Sequence, residues 1–278
     1  MTTTRIDLND YVRTGEGANG ASYNHKTDKS IMLKMYFRNF EEAQKELEVA
    51  QKVYAAGIPT PEPGDLVTDG ERMGIRFRRI EGKKSYSRAC GDNPERTEEY
   101  AREFAQLCKR LHATKVDTTQ FENVKDRLFH MLDNNPFFTP EEKKKLRNFI
   151  AEAPEKDAAI HGDLQFSNAI FVEGTNNPLF IDLGDFCYGD PMFDLGMVYL
   201  CCKLNDEAWT KEQYHMSNAT AARFWDAFAR EYFGPDADLE EVEKAILPYA
   251  GLKVLIIERD SHRRMPQFHA VLEATILK

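Results

Sequence analysis

Three polar side chains flank two short apolar segments in the second half of the 278-residue chain. Asp163 and Asn168 precede the first segment, residues 169–172, and Asp182 ends the second, residues 179–182. The linker contains Gly, Asn and Pro, which is typical of a hairpin turn and would bring both polar ends to one edge. Carboxylate and amide oxygens bind magnesium, and a carboxylate can orient a hydroxyl for attack on a phosphate. The arrangement therefore predicts a centre for magnesium-dependent phosphoryl transfer from a nucleotide.

The spacing of these residues follows a motif of protein kinases. Asp163 and Asn168 fit the catalytic-loop pattern D-x-x-x-x-N, and His161 stands where H-x-D requires it. Asp182 begins Asp-Leu-Gly where the magnesium-binding D-F-G would follow, one hairpin later. Asp163 and Asn168 also have a plainer interpretation as turn residues, and His161 as a buried structural histidine. For His161 we favour the structural interpretation.

A glycine-rich segment lies near the N-terminus. Residues 15–20 fit G-x-G-x-x-G, with Gly15, Gly17 and Gly20 at the glycine positions, and Ser22 follows two residues later. The segment lies between β-compatible runs and not between a strand and a helix. This context favours a lid over nucleotide phosphates rather than a dinucleotide-binding turn. A flexible loop is the structural alternative.

A lysine interrupts an apolar run shortly afterwards. Lys34 lies within residues 31–36, Ile-Met-Leu-Lys-Met-Tyr, where an unpaired charge is costly. Glu46, on the helix predicted to follow, is its candidate partner. Alternatively, Lys34 extends from an edge strand into solvent and Glu46 is one more solvated helix charge. The conjunction of all these parts in one order favours a kinase.

The elements that would position these residues change in character along the chain. Short strands and one helix, over residues 40–56 and ending at Gly57, are predicted up to about residue 81. The remainder is predicted to be mainly helical, apart from the hairpin. Its helices are expected at residues 94–112, 139–150, 194–204, 218–232 and 239–258, and in the C-terminal tail.

The composition excludes several classes of protein. The net charge of −9 argues against nucleic-acid binding, which needs a basic surface, and mildly favours a cationic substrate. No apolar run approaches the roughly 20 residues that cross a bilayer, and the N-terminus is polar, so we expect a cytoplasmic protein without membrane association. The five cysteines form no C-x-x-C pair and are expected to be reduced, with one of the adjacent Cys201 and Cys202 buried and the other flanking.

Three segments carry a family resemblance. Residues 161–168, 181–185 and 189–196 read HGDLQFSN, IDLGD and GDPMFDLG. With them the chain resembles, over most of its length, the aminoglycoside phosphotransferase and choline kinase-like branch of the protein-kinase-like fold. The resemblance implies an α+β, bilobal fold, with an N-terminal antiparallel sheet plus helix and a mainly helical C-terminal lobe. The nucleotide-binding lobe would span residues 1–81, and the catalytic and substrate-binding lobe residues 82–278.

The resemblance also implies roles for individual residues. Asp163 is the catalytic base, Asn168 and Asp182 bind Mg²⁺, and Lys34 contacts the nucleotide phosphates and pairs with Glu46. ATP is the implied phosphoryl donor, with GTP not excluded. The other implied nucleotide contacts come from the glycine-rich segment: Gly15, Gly17, Gly20 and Ser22.

Departures from related motifs narrow the function. Gly162 replaces the Arg of H-R-D and no A-P-E segment follows Asp182, which disfavours a phosphorylation switch and a protein substrate. Choline kinases typically have H-N-D, so an aminoglycoside, aminocyclitol or sugar-like acceptor is favoured over choline or an amino alcohol. A nucleotide-binding pseudokinase scaffold is a further alternative, disfavoured by the intact Lys34, Asp163, Asn168 and Asp182.

Other residues of the predicted helical lobe have weaker assignments. Asp190 and Asp194 are expected to brace the catalytic loop, with Asp194 capping the helix that follows it. The sequence gives no indication of oligomeric state. The candidate acceptor contacts are the acidic residues Asp185, Glu258 and Asp260 and the aromatic residues Tyr188, Trp209 and Trp225.

Overall fold

The computed structural model describes residues 3–16, 20–37 and 40–278. The strands are β1 (Thr4–Arg5), β2 (Tyr11–Glu16), β3 (Gly20–His25), β4 (Ile31–Tyr36), β5 (Pro63–Thr68), β6 (Met73–Arg78), β7 (Lys83–Ser85), β8 (Ala159–Ile160), β9 (Ala169–Val172), β10 (Leu179–Phe180) and β11 (Cys187–Tyr188). The helices are α1 (Phe40–Ala55), α2 (Tyr86–Asp92), α3 (Thr97–Ala113), α4 (Val124–Asn134), α5 (Pro140–Glu152), α6 (Met192–Tyr199), α7 (Glu207–Tyr214), α8 (Asn218–Phe233), α9 (Leu239–Leu252), α10 (Val254–Ser261) and α11 (Pro266–Thr275).

The chain forms two compact units. The first comprises Met1–Lys84 and Ile170–Gly184, and the second comprises Ser85–Ala169 and Asp185–Lys278. Most of the β9–β10 hairpin thus belongs to the first unit although it lies far along the chain. The domain boundary predicted between residues 81 and 82 stays a prediction.

A six-stranded sheet forms most of the first unit. Its strand order is β1-β5-β6-β4-β3-β2, with β1 parallel to β5 and the other pairs antiparallel. The two-residue period of β4 places Leu33 and Met35 in one buried cluster, and Tyr36 in another cluster that contains α1 residues. Lys34 lies two residues before Tyr36, so its side chain is on the same face of the sheet, the face that α1 covers.

Helix α1 packs on that face because its apolar residues recur at helical spacing. Ala43, Leu47, Ala50 and Val53 are buried. The helix gives way to Gly57, whose φ of +76° is the left-handed conformation that ends many helices. The helix predicted over residues 40–56 is therefore confirmed. β9 and β10 are neighbours in a separate three-stranded sheet of order β10-β9-β7.

The second unit is built on helices. The apolar residues of α3 recur at helical spacing and are buried, and Phe104 contacts the rings of Phe224 and Phe228 on α8. Helix α5 begins with the capping box formed by Thr139 and Glu142, as its sequence indicates. In the part of the chain that the structure describes, no helix is both long enough and apolar enough to cross a bilayer. The cytoplasmic location stays a prediction.

Three expectations about the second unit were wrong in detail. Helix α6 begins at Met192, so Asp194 lies in its first turn and does not cap it. The helix predicted over residues 239–258 is divided into α9 and α10 at Lys253, whose buried side chain donates to the carbonyl of Gly162 over 3.1 Å. All five cysteines are free, as predicted, but both members of the adjacent pair are buried, in a π-helical turn over Leu200–Leu204.

Candidate active site

In the first unit, Lys34 joins two carboxylates. Its Nζ atom lies 2.7 and 2.9 Å from the two carboxylate oxygens of Glu46 and 2.6 Å from Oδ1 of Asp182. The side chain of Glu46 is 11% exposed, whereas that of Asp182 is 52% exposed. The structure therefore forms the Lys34–Glu46 pair that the sequence predicts, and adds Asp182 to it.

The charges of this cluster stabilise one another. Burial acts to lower the pKa of Lys34, but Asp182 and Glu46 outweigh it and raise that pKa above its ordinary value. Burial raises the pKa of Glu46, and the nearby Lys34 ammonium acts against this. The ring of Tyr36 lies 5.3 Å from the ammonium, a cation–π distance. Lys34 is therefore a fully charged ammonium at neutral pH.

Asp182 is presented by an unusual backbone conformation. Its φ of +61° is in the left-handed region, which is uncommon for residues other than glycine and frequent at functional sites. Gly184, two residues later, passes close to the cluster, since an added Cβ would lie 3.3 Å from Oε2 of Glu46. A small residue at position 184 thus lets the segment approach the carboxylate that holds Lys34.

The glycine-rich segment lies between two paired strands. Gly15 is in β2 and Gly20 opens β3, with Ser22 opposite Lys34 on the neighbouring strand β4. A Cβ at position 20 would collide with the carbonyl oxygen of Met35, so only glycine fits there. The prediction that β-compatible runs lie on both sides of the glycine-rich segment is confirmed. Gly17 lies outside the described residues, and nucleotide contact by the other three stays a prediction.

A cavity of about 210 Å³ lies within the first unit beside β3 and β4. It is lined by Asn24, Met32, Pro61 and residues 78–83, the connection that follows β6. In this connection the backbone of Arg79 donates to the carbonyl of Ser30 over 2.7 Å, which fixes the wall of the cavity. A concave site of this kind can hold part of a small ligand.

In the second unit, two amides hold the carboxylate of Asp163. The Nε2 atom of Gln165 lies 2.8 Å from each carboxylate oxygen, and Nδ2 of Asn168 lies 2.9 Å from Oδ2. Nδ2 of Asn168 also donates to the carbonyl of Asp163 over 3.0 Å. Because the amide nitrogen of Asn168 is engaged in this way, its oxygen is the atom suited to a hard cation. The predicted base and the predicted metal ligand on this loop are thus in direct contact.

A buried carboxylate braces the start of this loop. Asp194 accepts hydrogen bonds from the backbone of His161 over 2.7 Å and of Gly162 over 2.9 Å, and its Oδ2 lies 3.1 Å from Nε2 of His112. Burial acts to raise the pKa of Asp194, but the hydrogen bond from His112 and nearby positive charge lower it overall. The bracing role predicted for Asp194 is therefore observed, although it acts through the loop backbone and not as a helix cap. His161 is fully buried, in agreement with a structural role.

Gly162 has a steric reason for being glycine. Its φ is +87°, and a Cβ on it would collide with the backbone carbonyl of Asp185. The backbone at this position therefore leaves no room for the arginine of H-R-D. The conformation of the loop is therefore sufficient to explain the absence of that arginine.

The acidic residues considered as acceptor contacts are either paired with arginines or buried. Asp185 has Arg259 at 3.5 Å and Arg127 at 3.9 Å, and the backbone carbonyl of Asp185 accepts from Arg127. Asp260 is paired with Arg259 at 2.6 Å. The carboxylate of Glu258 is fully buried. These residues therefore provide little uncompensated negative charge for a cationic acceptor.

Among the aromatic candidates, exposure separates one residue from the others. Trp225 is buried and its indole donates to Glu243 over 2.9 Å, which makes it part of the core. Tyr188 is half-buried in β11. Trp209, on α7, is 49% exposed. Trp209 is therefore the most exposed of the three, and Tyr188 keeps partial access to solvent.

A substitution of Glu258 tests whether this residue stabilises the fold and does not contact the acceptor. Its oxygens accept from Asn135 at 2.8 Å and from the backbone of Met265 at 2.7 Å, and Nε2 of His269 lies 2.9 Å away. We expect Glu258→Ala to lower the free energy of unfolding by about 3 kcal/mol, because it leaves buried polar groups without their shared partner. Asp260→Ala, on the exposed side of the same helix, should cost less than about 1 kcal/mol. Urea unfolding followed by circular dichroism measures both, and equal losses would contradict the assignment.

Several residues of the site were not predicted from the sequence. Gln165 lies between Asp163 and Asn168 in the chain, so its position could have identified it as a partner of Asp163. Lys253 and Arg127 contact the backbone of Gly162 and of Asp185 from distant helices, and no local pattern indicates such contacts.

A match to a family model shows which protein family the chain belongs to. The model of the APH family, described as a phosphotransferase enzyme family, matches residues 11–241. The chain belongs to the APH family. Membership makes it a phosphotransferase, so the predictions of family and of enzyme class are confirmed. No curated protein matches the chain in sequence.

Solved structures share the fold of this APH family member. A thermostable mutant of the aminoglycoside phosphotransferase APH(4)-Ia, in a ternary complex with ADP and hygromycin B, is 14% identical with a TM-score of 0.65, covering 95% of this chain and 94% of the other. The aminoglycoside phosphotransferase APH(3'')-Id of Streptomyces rimosus is 20% identical with a TM-score of 0.58, covering 88% of this chain and 92% of the other. A choline/ethanolamine kinase family protein of Mesorhizobium loti is 16% identical with a TM-score of 0.57, covering 95% of this chain and 84% of the other. The predicted α+β, protein-kinase-like fold is therefore confirmed.

Proposed function

We propose that this phosphotransferase transfers the γ-phosphoryl group of ATP, bound with Mg²⁺, to a hydroxyl of a small molecule of the aminoglycoside, aminocyclitol or sugar-like class. The observation that carries the proposal is the contact between Asp163 and Asn168, which joins a candidate base to a candidate metal ligand on one loop. Binding of ADP and hygromycin B by the structurally similar APH(4)-Ia mutant supports it.

The nucleotide would be bound by the first unit. Lys34, kept protonated by Glu46 and Asp182, supplies a fixed positive charge for the phosphates. The cavity beside residues 78–83 suits the base, where backbone groups of the connection would choose between ATP and GTP. Gly15, Gly20 and Ser22 belong to the paired strands β2 and β3, and we propose that they contact the phosphates.

The metal has candidate ligands of suitable chemistry. We propose that Asn168, through its amide oxygen, and Asp182, through its half-exposed carboxylate, bind Mg²⁺; this assignment rests on their donor types and their order in the chain. Magnesium would neutralise charge on the phosphates.

Asp163 would act on the acceptor. Its carboxylate is held by amide donors, so its orientation is fixed before the acceptor binds. Asp163 would accept a hydrogen bond from the acceptor hydroxyl and take its proton as the hydroxyl oxygen bonds to the γ-phosphorus, while the bond from that phosphorus to the bridging oxygen breaks and ADP leaves. Because Asp185 is ion-paired and Glu258 is buried, a neutral sugar-like acceptor fits these residues at least as well as the cationic acceptor that the net charge favours.

One assay tests the proposal. ADP release would be measured with magnesium and either ATP or GTP, across aminoglycosides, amino sugars, neutral sugars, choline and peptides. We expect turnover with a small-molecule hydroxyl and none with peptides. Turnover with choline alone would replace the acceptor class by an amino alcohol. Intact ATP binding without any turnover would instead favour a nucleotide-binding scaffold.

A further inference from the structure

The side chain of Gln165 bridges the proposed base and a buried tyrosine. Its Nε2 atom lies 2.8 Å from both carboxylate oxygens of Asp163, and its Oε1 atom accepts from the hydroxyl of Tyr214 over 3.0 Å. We infer that Gln165 is a positioning residue for Asp163 and that Tyr214 fixes Gln165 in turn. The inference rests on the proposed function, since it takes Asp163 as the base.

The hydrogen bonds determine which way the Gln165 amide faces. Tyr214 and Ser167, the latter at 3.3 Å, both have a hydroxyl proton to donate to Oε1. The reversed amide would direct Oε1 at the carboxylate of Asp163, where two acceptors would repel each other. The donors to Oε1 and the carboxylate that accepts from Nε2 therefore both favour the orientation in which the amide N–H groups face Asp163.

Tyr214 is anchored well enough to act as the fixed end of this chain. It closes helix α7, is buried, and packs edge-on against Phe166 at a ring separation of 4.7 Å. Its oxygen lies 3.1 Å from Sγ of Cys201 in the π-helical turn. Burial raises the pKa of Tyr214, so the phenol keeps its proton at neutral pH and remains a donor.

The bridge also connects separate parts of the second unit. Asp163, Gln165 and Phe166 lie on one loop, Cys201 follows α6, and Tyr214 ends α7. A carboxylate held only by its own loop would sample several rotamers, whereas this one is tied to two helical segments. Small errors in the position of a reacting group reduce the rate strongly. Breaking the hydrogen bonds of Gln165 should therefore lower kcat more than it weakens substrate binding.

The test uses Gln165→Met, which is similar in length but makes neither hydrogen bond, and Tyr214→Phe, which removes only the hydroxyl. With Mg-ATP and the acceptor found in the panel assay, we expect kcat to fall about tenfold to a hundredfold for Gln165→Met. For Tyr214→Phe we expect a fall of about threefold to tenfold. The KM for ATP should stay within about twofold of wild type in both, because the first unit is unchanged.

Matched controls remove similar hydrogen bonds elsewhere in the second unit. Gln106 donates to Glu231 over 3.2 Å, and the hydroxyl of Tyr199 donates to Glu243 over 3.4 Å. Gln106→Met and Tyr199→Phe should retain wild-type kcat. Gln165→Glu keeps the acceptor for Tyr214 but loses the donor to Asp163, so it should be as impaired as Gln165→Met while folding normally.

Double variants separate positioning from general damage. In an Asp163→Ala background, Gln165→Met should lower the residual rate by less than about twofold, because the group it positions is gone. A full additional loss there, or wild-type kcat in Gln165→Met and Gln165→Glu, would overturn the inference. If Asp163→Ala itself turned over at the wild-type rate, the proposed function would fail instead, so the two failures are distinguishable.

Discussion

Asp163→Ala should lower kcat by a factor of about a thousand while the chain stays folded and ATP remains bound. The carboxylate is the group that would take the proton of the acceptor hydroxyl, and two amide side chains hold it in place for that step. Nucleotide binding is assigned to the first unit, whereas Asp163 is in the second, so the loss should leave the Kd for ATP nearly unchanged. Steady-state ADP release and calorimetric titration with Mg-ATP measure the two quantities.

Asp226→Ala is the matched control for this change. Asp226 is an aspartate of the same unit whose side chain is 54% exposed and 3.9 Å from Lys203. Its removal should leave kcat at the wild-type value. A similar decrease in both variants, or a loss of ATP binding in Asp163→Ala, would indicate that Asp163 acts through stability or the nucleotide and not as a base.

Lys34→Met should reduce kcat/KM for ATP by about a hundredfold to a thousandfold. The substitution removes the positive charge proposed to contact the phosphates and leaves Glu46 and Asp182 without their shared cation. Since burial already raises the pKa of Glu46, losing Lys34 raises it further and favours the protonated, neutral carboxyl. ADP release at several ATP concentrations, together with ATP titration, gives the change in kcat/KM and in Kd.

Lys45→Met provides the control, because Lys45 is an exposed lysine next to Glu46 on the same helix. It should have wild-type kinetics. Glu46→Gln should be impaired less than Lys34→Met, since it retains the ammonium and its contact with Asp182. Normal kinetics in Lys34→Met would remove Lys34 from the nucleotide site.

The parts of the site that are fixed by local sequence were predicted well. A lysine in an apolar strand needs a buried partner, and Glu46 lies on the next helix at the position that reaches it. The hairpin with Asn168 and Asp182 on its flanks was also evident, because turn residues and apolar runs are local signals. Both features depend on residues near one another in the chain or on the two-residue and 3.6-residue periods.

The parts that depend on long-range contacts were not predicted. Asp194 was expected to cap a helix, but it accepts from loop backbone 32 and 33 residues away. Glu258 was considered an acceptor contact because it is an acidic residue of the predicted helical lobe, yet three buried or partly buried donors surround it. The role of Gln165 depends on Tyr214, 49 residues later. Sequence patterns do not encode which distant donor meets a given acceptor.

The prediction of the acceptor class also depends on long-range contacts. The net charge favoured a cationic molecule, but charge averaged over the chain does not describe one surface. Around Asp185 the arginines Arg127 and Arg259 cancel the local negative charge. The choice of neutral and amine-bearing compounds in the panel assay follows from this local compensation.

The most direct test is the fate of the γ-phosphoryl group. Wild-type protein would be incubated with Mg-ATP labelled in the γ-phosphate and with the acceptor found in the panel assay, and the products identified by phosphorus NMR and mass spectrometry. We expect one labelled phosphate ester on an acceptor hydroxyl for each ADP formed, and almost none with Asp163→Ala. Label found only in inorganic phosphate, or equal ester formation by wild type and Asp163→Ala, would contradict it.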